Sequence, residues 1–224
     1  MTVAAVILAA SPESALREVD GVANVRRLVD TAWAGGALPI VVVTHDPSGA
    51  VAHALAGSPG ILVSPAAEEA GPVGQICRGI DVARAEVDGS AAALVWPARM
   101  GWVDAETVTS LIEAHGTDRS AVLRPVFRGA AGWPVLVPVA HLETLRGLPP
   151  TLMPEPLVEA LAAAAGGRDV ETGDPGAVHD LDTPRDQLPA FEAPPEPASA
   201  HHHEWGSPAA AGPDEPPDPA RTVG

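Results

Sequence analysis

Three uninterrupted apolar runs constrain the fold of this chain most: residues 3–9 (VAAVILA), 39–44 (PIVVVT) and 91–96 (AAALVW). A strand with one wetted face alternates apolar and polar residues. Continuous apolar strands instead demand cover on both faces, as in a mostly parallel sheet between helices. The intervening segments supply that cover. Val22, Val25, Leu28, Val29, Ala32 and Trp33 recur at helical spacing, and Gly35-Gly36 ends that helix. Further helices are predicted over 50–56, 75–85, 140–146 and 156–165, with Asp104 as the N-cap of another that runs to 115. Shorter strands over 60–63, 121–126 and 134–137 complete the alternation. The expectation is an α/β domain with a mostly parallel sheet covered on both faces. Ligands of such sheets sit beyond the carboxyl ends of the strands, so the loops after Ala9, Thr44, Val63 and Trp96 carry the interest.

The alternation stops near Pro189. Residues 189–224 hold nine Pro and only three large apolar side chains, too little burial to offset the entropy of ordering. They read as a disordered, Pro-rich acidic tail open to a protein partner, and 1–188 as the folded domain. Across the chain 13 basic residues stand against 29 acidic ones, a formal charge of -16. A surface that acidic repels a phosphate backbone, so nucleic acid is not an expected partner. All 13 basic residues are Arg. The absence of Lys excludes Schiff-base chemistry and a P-loop ammonium. A single Cys77 excludes an internal disulfide or a multi-Cys zinc site and fits a reducing compartment. No stretch approaches the roughly 20 apolar residues of a membrane span. Residues 3–10 lack the preceding positive charge of a signal peptide, so no membrane partner and a cytoplasmic location are expected.

An ordered set of motifs sharpens the reading. Residues 3–10 (VAAVILAA) are followed by Gly71-Pro72-Val73-Gly74 before a helix and by Trp102-Val103-Asp104-Ala105-Glu106-Thr107-Val108. Arg124-Pro125-Val126, Gly132-Trp133-Pro134-Val135-Leu136 and Asp180-Leu181-Asp182-Thr183-Pro184-Arg185-Asp186 complete the set. In order and spacing, over nearly all of 1–188, this resembles the MobA-like nucleotidyltransferases, the molybdenum-cofactor cytidylyl- and guanylyltransferases. The resemblance implies a Rossmann-like, three-layer α/β fold of the nucleotide-diphospho-sugar-transferase type that binds CTP or GTP through Leu8, Ala9, Ala10, Ser11 and Gly74. It also implies Mg2+ held by carboxylates, and nucleotidyl transfer to a phosphorylated acceptor such as molybdopterin with release of pyrophosphate.

The chain departs from that pattern where the chemistry would lie. Ser11 stands at the position of the loop Gly, Ala15 at the Arg, Arg17 at the second Gly and Asp20 at the Lys. A Cβ at position 11 crowds the approach of phosphates, and a carboxylate at 20 reverses the local field. Arg17 is either a compensating phosphate contact or an ordinary surface side chain. Ala98-Arg99 align with a Gly-Asp pair whose Asp binds Mg2+. A guanidinium cannot ligate a cation, so Arg99 either meets an anion directly or pairs with a carboxylate near the sheet end. Asp180 and Asp182 remain. In the family the second of these helps hold the metal, which here leaves a weak Mg2+ site, whereas the same Asp-x-Asp-Thr-Pro also caps a turn. Trp133 replaces a His and offers packing or stacking but no acid–base function.

Other candidates carry less. His45-Asp46 adjoins a turn, Ser11 and Ser14 have no His at triad spacing, and Cys77 sits in a helix as a small hydrophobe. His201-His202-His203 offers adventitious metal affinity. The expectation is a nucleotide- or partner-binding module with impaired catalysis, in which Arg17 and Arg99 are the candidate catalytic groups and the ligand is a nucleotide or a molybdenum-cofactor-like molecule. The alternative is an active nucleotidyltransferase.

Overall fold

The computed structural model describes residues 2–66, 69 and 71–192. Of the expected tail, residues 193–224, with His201-His203, lie outside the described residues, whereas 189–192 pack on the domain, with Glu192 N donating to Gly173 O at 2.8 Å. The first apolar run forms strand β1 (Thr2–Leu8), followed by a one-turn helix α1 (Pro12–Leu16) and a small hairpin of β2 (Glu18–Val19) and β3 (Val22–Ala23). Then come α2 (Asn24–Ala34), β4 (Ile40–Val43), α3 (Ala50–Ala54), β5 (Gly60–Val63), α4 (Pro72–Glu86) and β6 (Ser90–Pro97). The second half adds α5 (Ala105–Thr117), β7 (Val122–Phe127), β8 (Ala130–Ala131), β9 (Val135–Pro138), α6 (Leu142–Arg146), α7 (Pro154–Ala165) and β10 (Gly167–Glu171).

The main sheet runs β10-β7-β9-β6-β1-β4-β5, with β8 attached to β7. β6, β1, β4 and β5 are mutually parallel, as are β10 and β7, and β9 runs antiparallel between β6 and β7. Every residue of β4 and β9 is buried, and so is β1 from its second residue on. The pattern follows from two-sided cover: α4 packs on β1 and β4, while α2 packs on β4 and against α5. The register sets Leu8 beside Val43 and Pro97, so β1, β4 and β6 end at one level and open their loops on the same edge.

Two departures from sequence expectation have clear causes. β10 carries exposed polar residues at the sheet edge and so lacks the apolar signature of the inner strands. α4 starts at Pro72, ahead of the periodic run, because Pro suits a first helical position where no N–H is needed.

Polar groups mark both ends of α5. Asp104 caps α5 by accepting from Glu106 N at 3.0 Å. His115, in the last turn, is 1% exposed, and neither ring nitrogen has a hydrogen-bond partner among the described residues. Burial holds its pKa below the ordinary 6.5, with Arg119 adding repulsion and Asp118 opposing. The fold therefore keeps His115 neutral while the unfolded chain takes up a proton near pH 6.5. Stability should be complete above that pH and should decline as pH falls below it towards the depressed native value. Urea unfolding at a series of pH values checks this. His115→Leu is expected to flatten the decline, and an unchanged slope would show that other groups cause it.

Candidate functional site

The loops that follow β1 and β6 meet over the N-terminus of α4 and the start of α7. They enclose a cavity of about 280 Å3 whose walls are mainly apolar, from Leu8, Ala10, Pro72, Pro97, Ala98 and Met153. Ser11, Ser14, Gln75 and Arg99 supply its polar groups. Strand pairing fixes the floor: Ala9 N donates to Val43 O at 2.9 Å, and the Thr44 hydroxyl donates to Ala9 O at 2.7 Å. Ala10 and Ser11 are exposed at the rim. After Ser11 the chain enters α1 at once, with Pro12 at a first helical position, so this loop is a short helix rather than an open phosphate cradle. Gly74 is glycine for a packing reason. A Cβ there would stand 2.6 Å from Glu69 Cα, so the backbone of residue 69 already fills the space beside it.

Arg99 projects from the β6 loop and is clasped by two carboxylates. It hydrogen-bonds to Glu155 in the first turn of α7, and its other arm lies 3.5 Å from Asp180. Leu181 N donates to Arg99 O at 2.9 Å, so backbone as well as side chain joins this loop to the Asp180 segment. Of the two roles open to Arg99, the structure displays the carboxylate pair. Arg17 pairs with Asp182 at 3.0 Å, and Asp20 accepts from Arg185 at 2.7 Å. Asp180 also caps its own turn by accepting from Asp182 N at 3.0 Å.

Asp20 has a conformational reason as well. It and Gly21 adopt φ of 55° and 76° in the turn between β2 and β3, the left-handed pair that a two-residue hairpin requires and that Asp-Gly favours. The Asp20→Lys exchange that would restore a cation meets that backbone constraint and removes the Arg185 pair.

The donor set does not fit a divalent cation. Asp180 and Asp182 each face a guanidinium, a fixed positive charge beside the position a metal would take. Among the described residues no group of three or more His, Cys, Asp or Glu side chains could hold a metal ion. The other sequence candidates are structural. The Asp46 carboxylate is held below its ordinary pKa by the Ala52 N–H it accepts from, at 2.9 Å, where the loop enters α3. Burial pushes the Cys77 thiol up to about 11. Trp133 is buried in the core.

Asn24 and Glu155 escaped the sequence reading. Asn24 opens α2, is fully buried, and donates from Nδ2 to Ser14 O at 3.1 Å and to Ala98 O at 2.6 Å. One amide thus joins the two loops that form the cavity. Asn24→Ala strands both carbonyls and should cost about 1–2 kcal/mol. Amide exchange in residues 11–16 should quicken with it, and unchanged exchange there would show that the loops hold together without this bridge.

The sequence profile of the MobA-like NTP transferase domain matches residues 13–171. The chain belongs to that family. No curated protein sequence matches it. Among solved structures, this MobA-like domain is similar to a nucleotidyl transferase from Methanothermobacter, with a TM-score of 0.62 at 18% identity, covering 81% of this chain and 92% of that one. It is also similar to 2-C-methyl-D-erythritol 4-phosphate cytidylyltransferase from Thermus thermophilus, with a TM-score of 0.61 at 18% identity over 83% and 95% of the two chains. A third likeness is to Rv0371c from Mycobacterium tuberculosis in complex with manganese, with a TM-score of 0.55 at 17% identity over 76% and 87%. At such identities the likeness is one of fold, the nucleotide-diphospho-sugar-transferase type of mostly parallel sheet between helices. Among the described residues no helix is long and apolar enough to cross a membrane.

Proposed function

We propose that this MobA-like domain is a cytoplasmic binding module for a nucleoside or a nucleotide of low charge, without the metal-dependent nucleotidyl transfer of an active transferase. The observation that carries this reading is Arg99, clasped by Glu155 and Asp180 at the position where the family resemblance puts a metal-binding Asp. Arg17 is likewise neutralised by Asp182. Counting Glu155, Asp180, Asp182 and the neighbouring Glu13 against the two guanidinium groups leaves the cleft acidic, which disfavours a triphosphate. The apolar cavity of about 280 Å3 with a few polar groups suits a ring system held at its edges.

The family match keeps a second reading in view, in which the chain transfers a nucleotidyl group to a phosphorylated acceptor such as molybdopterin. A pyrophosphate-release assay with CTP and GTP in the presence of Mg2+ and a molybdopterin acceptor separates the two. Release at the level of a protein-free control is expected. Release that depends on both protein and Mg2+ would establish the transferase reading instead.

A further inference from the structure

A second cavity, of about 570 Å3, shares no lining residue with the cleft at the strand ends. It lies between α2, the start of α5 and the C-terminal segment, and its volume is within the range of small-molecule sites. Trp102 and Phe191 give it aromatic walls, and Arg27 and Arg185 line it as cations.

The acidic groups around it are already engaged. Asp30 is bonded by Arg26 Nε at 3.0 Å, Asp104 caps α5, and Asp174 accepts from Asp104 N, Thr107 Oγ1 and Gly176 N, each at 2.8 Å. Arg185 is engaged too, with Asp20.

Arg27 differs from its neighbours. It lies over the Trp102 ring, 5.4 Å from the centroid, and Trp102 is itself fixed by donating from Nε1 to Thr183 O at 3.0 Å. Arg27 forms no ion pair among the described residues, and its Nη1 is buried with no hydrogen-bond partner there. Burial, and then the nearby Arg185, pull its pKa down, and Asp20 opposes them only in part. Arg27 lines the cavity, and an oxyanion that enters beside its guanidinium supplies the missing ion pair with a charge-assisted bond.

We infer that this cavity is a binding site for a small planar ligand that carries one oxyanion, with Arg27 pairing with the anion and Trp102 and Phe191 covering the ring. The anion is a carboxylate or a phosphate, and the ring supplies the apolar area that distinguishes such a ligand from a bare ion. The site stands apart from the nucleoside reading of the cleft, and neither depends on the other.

The test follows the Trp102 indole N–H by NMR in the full-length, indole-15N-labelled protein, with the signal assigned through Trp102→Phe. Indole-3-acetate, CMP and inorganic phosphate are titrated separately. The inference predicts saturable movement of the Trp102 signal by indole-3-acetate or CMP, with a dissociation constant on the order of 1 mM or tighter. Which of the two binds more tightly tells carboxylate from phosphate. Inorganic phosphate should bind at least about tenfold more weakly than the better of the two. Arg27→Gln should weaken binding about tenfold or more, the size of a lost charge-assisted bond. If the Trp96 and Trp133 signals show that Arg27→Gln disturbs the core, Arg185→Gln at the exposed rim takes its place, with binding weakened at least about threefold. No saturable movement by either ring-bearing anion overturns the inference. So does movement that survives both Arg variants, or inorganic phosphate binding as tightly as the ring-bearing probes.

Discussion

Arg99→Asp is expected to turn a cleft that rejects divalent cations into one that binds them. The substitution removes a guanidinium held by Glu155 and Asp180 and leaves a third carboxylate facing those two. Without metal the three acids repel one another. The lost ion pairs are about half exposed, so their removal costs only about 0.5–1 kcal/mol, and the repulsion adds a similar amount. Mn2+ or Mg2+ is attracted to the three carboxylates and relieves their repulsion, and a dissociation constant on the order of 1 mM or tighter is expected for three oxygen donors in a partly solvated cleft. Calorimetric titration of Mn2+ should show heat for Arg99→Asp and none for the unmodified protein. Arg99→Gln, which loses the pairs without adding a charge, should also show none. Equal Mn2+ binding by the unmodified protein would mean that Asp180 and Asp182 suffice as ligands despite their Arg partners.

The largest stability effect is expected at Asp174, which is 2% exposed. Its carboxylate accepts Asp104 N, Thr107 Oγ1 and Gly176 N, and so ties the segment after β10 to the first turn of α5. Burial pushes its carboxyl above the ordinary range, and the three donors offset part of that shift. Asp174→Ala strands three donors in the interior and should destabilise the domain by about 3 kcal/mol. With a urea dependence of about 2 kcal/mol per M, the unfolding midpoint should fall by about 1.5 M. Asp174→Asn keeps one acceptor oxygen and should fall in between. A midpoint for Asp174→Ala within error of the unmodified protein would show that the donors find other acceptors.

What could be read from sequence follows the physics of each part. β1, β4 and β6 were legible because a strand buried on both faces must be apolar throughout, and PIVVVT has few other uses. β10 was not, since at the sheet edge nothing requires apolar residues. The β2–β3 turn left a local mark in Asp20-Gly21, but the resemblance directed that position towards a missing Lys rather than towards a hairpin. The site's charge pairing left no local mark at all. Arg17 and Asp182 are 165 positions apart, as are Asp20 and Arg185, and Arg99 reaches Glu155 across 56. Composition told that every cation is an Arg, and only the fold tells which acid each one meets. Asn24 was hidden for a related reason. A single polar residue at the first position of a helix resembles an ordinary cap, and its bond to Ala98 O depends on the β6 loop lying above it.

The central claim is that ion pairs within the cleft have taken the place of metal and triphosphate recognition. It is tested most directly by calorimetric titration of the unmodified protein with cytidine, CMP and CTP, and with the guanosine series, each in EDTA and in Mg2+. The nucleoside or monophosphate of one series should bind at least as tightly as its triphosphate, with no gain from Mg2+. A triphosphate that binds about tenfold or more tightly than its monophosphate, and only in the presence of Mg2+, would contradict the account.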